Sequence, residues 1–163
     1  MRYLSVVLVL VGCSALSAGA ELEVTHDRAS GDTTIKTKVR GATATPHLSL
    51  YALLPASPQD PPTVALLLSA SFGSWHYREC HRTVWLVDNH PLDLPQPSHE
   101  GRTGEGFVAE FLTIRPLYLE QMRQMAQAHK IEFTICHDAF TVSPEELQDF
   151  RTFVDKVKET RGK

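Results

Sequence analysis

Positive charge is not in surplus in this sequence, because 16 lysine and arginine residues are outnumbered by 19 aspartate and glutamate residues. The basic residues form no stripe of the kind that binds phosphates along a nucleic acid, so nucleic acid is not expected as a partner. The negative balance argues equally against docking on anionic lipid by charge alone.

Sequence motifs of the common enzyme classes are also missing. The chain has no G-x-S-x-G elbow, no glycine-rich phosphate loop and no H-E-x-x-H, and His99-Glu100 is followed by Gly-Arg-Thr. Cys80 and His81 are adjacent, so an extended backbone would point them to opposite sides and prevent a nucleophile–base pair. The sequence therefore favours a protein without catalytic activity, and it predicts no cofactor.

Beyond the start of the chain there is no apolar run long enough to cross a membrane, which takes about 18 residues. The early apolar run, at 3–11, follows Arg2 and precedes small residues, which is the layout of a secretory signal peptide. Ala18-Gly19-Ala20 fits the small-x-small cleavage rule, and cleavage there would start the mature chain at Glu21. We therefore expect an exported protein.

A second interpretation of the leader starts from Leu10-Val11-Gly12-Cys13. This tetrapeptide resembles the lipobox of bacterial lipoproteins, in which the cysteine receives lipid and becomes the new N-terminus. The resemblance implies a lipidated Cys13, membrane association through that anchor alone and, with Ser14 next to it, delivery to the outer membrane. Both interpretations predict a leader and tether at 1–20 and a single globular domain at 21–163.

Alternating apolar and polar residues, separated by turn-forming residues, predict about eight strands. These segments are 21–27, 33–39, 47–54, 63–72, 83–88, 106–115, 130–135 and 139–142. Two helices are predicted in the C-terminal region, one opened by Pro116 and one that begins at Pro144. Because strands come early and helices late, we predict an α+β fold, an antiparallel sheet or sandwich with two helices packed on it.

The second helix has an explicit start, since Ser143 and Glu146 form the pattern of a capping box. The apolar residues that follow recur at helical spacing and predict a stripe that covers the sheet. The stripe consists of Leu147, Phe150, Val154 and Val157, with Phe153 beside it. The corresponding face of the first helix consists of Met122, Met125, Ala126 and His129.

The connection 88–106 between two predicted strands is long and rich in proline, glycine and polar residues. Connections of this length inside a compact domain are either mobile or functional. We expect a mobile hairpin tip without regular secondary structure.

Cysteine parity predicts a disulfide. Of three cysteines, either processing of the leader leaves only Cys80 and Cys136 as a pair. In an oxidising compartment such a pair is expected to be bonded, and the bond would destabilise the unfolded chain by roughly 4 kcal/mol on the loop-entropy account. The alternatives are two buried free thiols or a metal site.

A metal site would suit zinc or copper by ligand type. Its candidate ligands are His76, Cys80, His81, Cys136 and His137. The spacing is poor, because the chain has no C-x-x-C or H-x-x-x-H and an extended segment would point neighbouring ligands apart. A site of histidines alone would instead draw on His90 and His99. No metal is predicted.

Trp75, Tyr77 and Trp85 fall on alternate positions if the segment that contains them is an extended strand. An exposed aromatic row would bind sugar rings or a peptide, but we expect these side chains in the core.

Glu110 interrupts an otherwise apolar strand, where it shares a face with Val108 and Leu112. We expect this glutamate to face solvent or lie at an edge. A buried glutamate at this position would have to pair with an arginine, and Arg78 and Arg82 are the candidates.

The sequence therefore predicts a non-catalytic module, secreted or lipid-anchored, that contacts an envelope protein or a cell-wall component. The candidate binding residues are Trp75, His76, Tyr77, His81, His90, His99 and Glu110. The alternatives are a periplasmic protein that binds metal through histidines and a hydrolase of unrecognised type. An exposed aromatic patch would favour the first function, clustered histidines the second, and a cleft with a buried carboxylate beside a histidine the third.

Overall fold

The computed structural model describes residues 21–38, 43–57 and 59–162. These residues form ten strands, two helices and the connections between them. The strands are β1 (Leu22–His26), β2 (Thr33–Thr37), β3 (His47–Leu54), β4 (Thr63–Phe72), β5 (Thr83–Val87), β6 (His90–Leu92), β7 (Ser98–Gly104), β8 (Phe107–Leu117), β9 (Ile131–Ile135) and β10 (Asp138–Thr141). The helices are α1 (Leu119–Gln127) and α2 (Pro144–Arg161). The lipobox with Cys13, and the predicted strand end at Val39, lie outside these residues.

The strands form two antiparallel sheets. The large sheet has six strands in the order β1-β2-β3-β4-β8-β7, and the small sheet has four in the order β10-β9-β5-β6. β4 pairs with β3 on one side and β8 on the other, so it lies at the centre of the large sheet. The predicted α+β fold, with antiparallel sheets and two helices in the C-terminal region, is confirmed.

One face of the large sheet is apolar and forms the core. Alternate side chains of β3 and β4 point to this face, as the two-residue period of a strand dictates. They are Leu48, Leu50, Ala52, Leu54, Val64, Leu66, Leu68 and Ala70, and all are buried. Helix α2 packs on β2 and β3, so it covers this face.

The start of α2 follows the predicted capping box. Ser143 Oγ accepts the N–H of Glu146 at 3.2 Å, and Glu146 Oε2 accepts the N–H of Ser143 at 3.0 Å. Glu146 Oε1 also accepts the backbone N–H of Leu48 at 3.1 Å, which ties the helix start to the large sheet. The predicted stripe is buried in the core, together with Phe153.

Helix α1 starts later than Pro116, because β8 continues through that proline and its Leu117 pairs with Val64 of β4. Met122, Met125 and Ala126 are buried as predicted, whereas His129 lies beyond the helix end and is exposed. Neither helix of the described residues is long and apolar enough to span a membrane.

The connection 88–106 contains two strands, so the expectation of a tip without regular secondary structure was wrong. It contains β6, which forms a hairpin with β5 through a turn at Asp88 and Asn89 with φ of 49° and 66°. It also contains β7, which pairs with β8 along its whole length at the edge of the large sheet. Because an edge strand tolerates polar residues on both faces, β7 shows no apolar alternation in the sequence.

Candidate functional site

Most of the candidate binding residues lie in or against the segment that links the two sheets. Residues 73–82, called the 73–82 loop below, connect β4 of the large sheet to β5 of the small sheet and contain no strand. The condition of an extended strand through Trp75 is therefore not met. Tyr77 and Trp85 are buried as expected of core aromatics, but Trp75 is 38 % exposed.

Glu110, on β8, anchors this loop to the large sheet. Its Oε2 accepts the backbone N–H of His76 at 2.7 Å, and its two oxygens accept that of Tyr77 at 3.0 and 3.2 Å. Glu110 is 0 % exposed, so the expectation of a solvent-facing glutamate was wrong. Its compensating donors are backbone amides and a histidine, and not Arg78 or Arg82, because the loop folds its own N–H groups onto the carboxylate.

His99, on β7, is the histidine that completes this arrangement. Its Nε2 lies 2.8 Å from Oε1 of Glu110 and donates to it, since an ionised carboxylate only accepts. The ring of His81 stacks on that of His99, with centroids 5.5 Å apart and planes 18° apart. Nδ1 of His81 is buried and has no hydrogen-bond partner among the described residues. The carboxylate of Glu110 and the imidazoles of His99 and His81 thus lie in sequence from the large sheet to the 73–82 loop.

Asp138, at the start of β10, holds the loop from the small sheet. Its Oδ2 accepts from Nε2 of His76 at 2.8 Å and from the hydroxyl of Tyr77 at 3.2 Å. Burial, and then the negative charge of Asp138, raise the pKa of Tyr77, so the phenol stays protonated and donates. The ring of His76 stacks on Phe72, with centroids 4.5 Å apart.

Cys80 and Cys136 form a disulfide, with their Cα atoms 6.0 Å apart, and the predicted pair is confirmed. The bond ties the loop to the turn between β9 and β10. The backbone N–H of Cys136 adds a hydrogen bond to the carbonyl of Arg82 at 2.9 Å. Because both sulfurs are bonded to each other, neither is available as a thiolate ligand or a nucleophile.

Trp75 lies against Gly101 of β7. A Cβ placed on Gly101 would overlap the benzene ring of this indole, so the contact depends on the missing side chain. The guanidinium of Arg78 lies 5.3 Å from the centre of the Trp75 ring, within the range of a cation–π interaction. The loop therefore presents an aromatic ring and a cation to solvent.

The structure brings six of the seven candidate residues together, and His90 is the exception. His90 lies on β6 of the small sheet, where its Nδ1 is 2.8 Å from the carbonyl oxygen of Asp88. Within residues 21–38, 43–57 and 59–162, no group of three or more histidine, cysteine, aspartate or glutamate side chains is arranged to hold a metal ion.

Two residues of this site were not singled out from the sequence. Asp138 follows Cys136 by two positions in a hairpin turn. Because the predicted disulfide joins Cys136 to Cys80, it indicated that Asp138 would lie near the 73–82 loop. Gly101 gave no signal, because its role depends on an indole that is distant in the sequence and reaches it only in the folded chain.

These contacts hold the 73–82 loop in position and leave the ring of Trp75 partly exposed. The buried carboxylate of Glu110 accepts hydrogen bonds from three donors. Comparison with protein-family models, with curated proteins and with solved structures finds no match to the chain.

Proposed function

We propose that this protein is a non-catalytic exported module that binds a cell-wall component through the 73–82 loop. The observation that carries the proposal is a loop held from both sheets whose outer surface exposes Trp75 and Arg78. Binding residues concentrate on loops that a rigid scaffold positions.

Three separate tethers support this assignment, because they order the loop before any partner arrives. Glu110 binds two consecutive backbone amides, Asp138 binds the side chains of His76 and Tyr77, and the disulfide holds Cys80. A loop that is already ordered loses little conformational entropy on binding, which favours affinity.

The exposed chemistry suits a glycan that carries carboxylates, and peptidoglycan combines sugar rings with peptide carboxylates. An indole offers an apolar face to a sugar ring and a polar N–H beside it. The guanidinium of Arg78 can pair with a carboxylate in a bidentate manner. The side chain of Arg78 is 63 % exposed, so it can rotate aside for a ligand.

Export of the chain is part of the proposal. The leader pattern supports it, and so does the disulfide, because disulfides persist in oxidising compartments. Detergent partitioning of wild-type protein and Cys13→Ser separates the two forms of export. A lipidated protein enters the detergent phase and the variant does not, whereas a protein cleaved after Ala20 behaves the same in both cases.

Co-sedimentation with purified peptidoglycan tests the binding function. We expect wild-type protein to sediment with the polymer and Trp75→Ala to bind about tenfold more weakly, which corresponds to about 1.4 kcal/mol. Tyr51→Ala is the matched control, because Tyr51 is 39 % exposed and faces away from the core on β3. Failure of wild-type protein to sediment, or equal loss in both variants, would overturn the proposal.

The alternative functions receive less support from the same residues. His76, His90 and His99 are each engaged separately, with Asp138, the Asp88 carbonyl and Glu110. A buried carboxylate does lie beside a histidine, as a hydrolase would require. However, Glu110 is 0 % exposed and its oxygens accept the backbone N–H groups of His76 and Tyr77, so this carboxylate does not face a substrate.

A further inference from the structure

A cavity of about 790 Å³ lies between the C-terminal half of α2, the first turns of α1 and the chain that follows β3. Its volume falls within the range of small-molecule sites, roughly 300–1,000 Å³. None of its lining residues belongs to the 73–82 loop or contacts it through the hydrogen bonds described above. The cavity is therefore a site separate from the proposed binding loop.

The floor of this cavity is apolar. Leu54 of β3 and Val154 and Val157 of α2 line it, and all three belong to the buried core cluster. Leu119, the first residue of α1, and Ala56 complete the apolar wall. Leu54, Val154 and Val157 are themselves only 5, 5 and 2 % exposed, so a ligand that enters would cover the accessible hydrocarbon of Leu119 and Ala56 above this floor. Removal of such surface from water is the main source of affinity for an apolar group.

The mouth of the cavity is cationic. Arg123, Lys158 and Arg161 line it, against one acidic residue, Asp60, among the lining residues that the structure describes. This sign is the reverse of the whole chain, whose formal net charge is −3. Charged groups placed at one cavity mouth raise the local concentration of ligands of opposite sign.

Two of these cations pair with carboxylates that do not neutralise them firmly. Arg123 lies 3.6 Å from Glu120 and Lys158 lies 3.5 Å from Asp155, and all four side chains are about half exposed or more. Exposed pairs of this kind contribute little energy and exchange readily with other partners. An anion at the mouth can therefore compete for both cations.

Arg123 is the most informative of the three cations. Lys158 and Arg161 lie in the last turn of α2, where they also offset the partial negative charge of that helix end. Arg123 projects from α1 on the opposite wall, away from the last turn of its own helix. The position of Arg123 at the mouth is therefore not explained by the partial charge of a helix end.

We propose that this cavity binds a small anionic amphiphile, with an alkyl chain against Leu119 and Ala56 above the floor of Leu54, Val154 and Val157 and an anionic head at Arg123, Lys158 and Arg161. The proposal does not depend on the function of the 73–82 loop. A carboxylate or a phosphate head would satisfy the same cations, and a free molecule, not a membrane lipid, is the expected source, because the cavity is of small-molecule size.

Titration calorimetry with sodium dodecanoate, below its micellar concentration, tests this site. We expect binding at one molecule per chain, and binding of decanoate about tenfold weaker because it lacks two methylene groups. Dodecyltrimethylammonium has the same chain with the opposite charge, and we expect no binding. Equal binding of the two charges, or no binding of dodecanoate, would overturn the proposal.

Variants locate the site. Arg123→Glu should weaken dodecanoate binding at least tenfold, and Arg123→Gln should weaken it by a smaller factor while avoiding a new charge beside Glu120. Lys156→Glu is the matched control, because Lys156 lies on α2 near Lys158 but does not line the cavity. Thermal melts confirm that each variant folds. An equal loss in Lys156→Glu and Arg123→Glu would show general electrostatics and refute the site.

Vesicles of phosphatidylglycerol distinguish a free amphiphile from a membrane lipid. The Cys13→Ser protein should bind dodecanoate and remain in the supernatant when such vesicles are sedimented. The assignment to a free ligand would be contradicted if the Cys13→Ser protein sedimented with the vesicles, lost this property on Arg123→Glu, and did not bind free dodecanoate.

Discussion

Tyr77 donates its backbone N–H to both carboxylate oxygens of Glu110, at 3.0 and 3.2 Å, across 33 positions of the chain. The same carboxylate accepts from the backbone of His76 and the ring of His99. A buried charge is tolerated only when hydrogen bonds replace its hydration, and these three donors provide that replacement. The 73–82 loop is therefore part of the core structure, although its outer surface faces solvent.

Glu110→Gln should lower the free energy of unfolding by about 3 kcal/mol. The amide has nearly the same shape, but its NH₂ group replaces one of the two acceptor oxygens. The N–H of His76 or the ring N–H of His99 then faces a donor and loses its partner in a buried site. Urea unfolding followed by circular dichroism measures the loss. Glu79→Gln is the control, since Glu79 is in the same loop with its side chain 96 % exposed, and it should change stability by less than about 0.5 kcal/mol. Equal midpoints for the two variants would contradict the anchoring role of Glu110.

Gly101→Ala should displace Trp75, because the new Cβ would occupy the space of the indole. We expect stronger acrylamide quenching of tryptophan fluorescence and a loss of about 1 kcal/mol or more in stability. Trp85 is buried, so the change in quenching reports on Trp75. Gly73→Ala is the matched control, since a Cβ there meets nothing within 4 Å. Unchanged quenching in Gly101→Ala would show that the ring does not depend on this contact.

Phe150→Ala should destabilise the domain by about 3–5 kcal/mol, because Phe150 is buried in the core cluster and a short helix has little stability of its own. Ser143→Ala should cost only about 1 kcal/mol, the usual value of a helix cap. Thermal melts of the two variants measure both effects. A melt of Phe150→Ala at the wild-type temperature would indicate that α2 does not contribute to the core.

Tyr77 should make the protein sensitive to alkali. Its pKa is raised by burial and then by Asp138, so the folded state keeps the phenol protonated where the unfolded chain ionises, above about pH 10. The stabilisation is therefore complete below about pH 10 and is lost as the pH rises further. Tyr77→Phe lacks this dependence, so urea midpoints of the two proteins should converge as the pH rises above about 10. A constant difference across that range would contradict the shifted pKa.

Local chemistry was sufficient for several features. The capping residues Ser143 and Glu146 and the apolar period behind them indicated α2, because a helix start and an amphipathic face are both encoded within a few turns. The parity of the cysteines indicated the bond between Cys80 and Cys136 without knowledge of the fold. Alternation of apolar and polar residues was likewise sufficient to indicate the strands that bury one face. The order of these strands and the helices then predicted the α+β class.

Other features were decided by contacts between distant segments. β7 is a strand because β8 lies beside it, and its polar sequence alone resembles a loop. In the 73–82 loop, backbone amides bond to Glu110 instead of a neighbouring strand, and the loop is irregular. Trp75 can lie against β7 because Gly101 has no side chain. The sequence by itself determined the elements whose stabilising residues are neighbours along the chain. Only the tertiary structure decided the partner of Glu110, because a buried charge takes whichever donors the folded chain brings within about 3 Å of it.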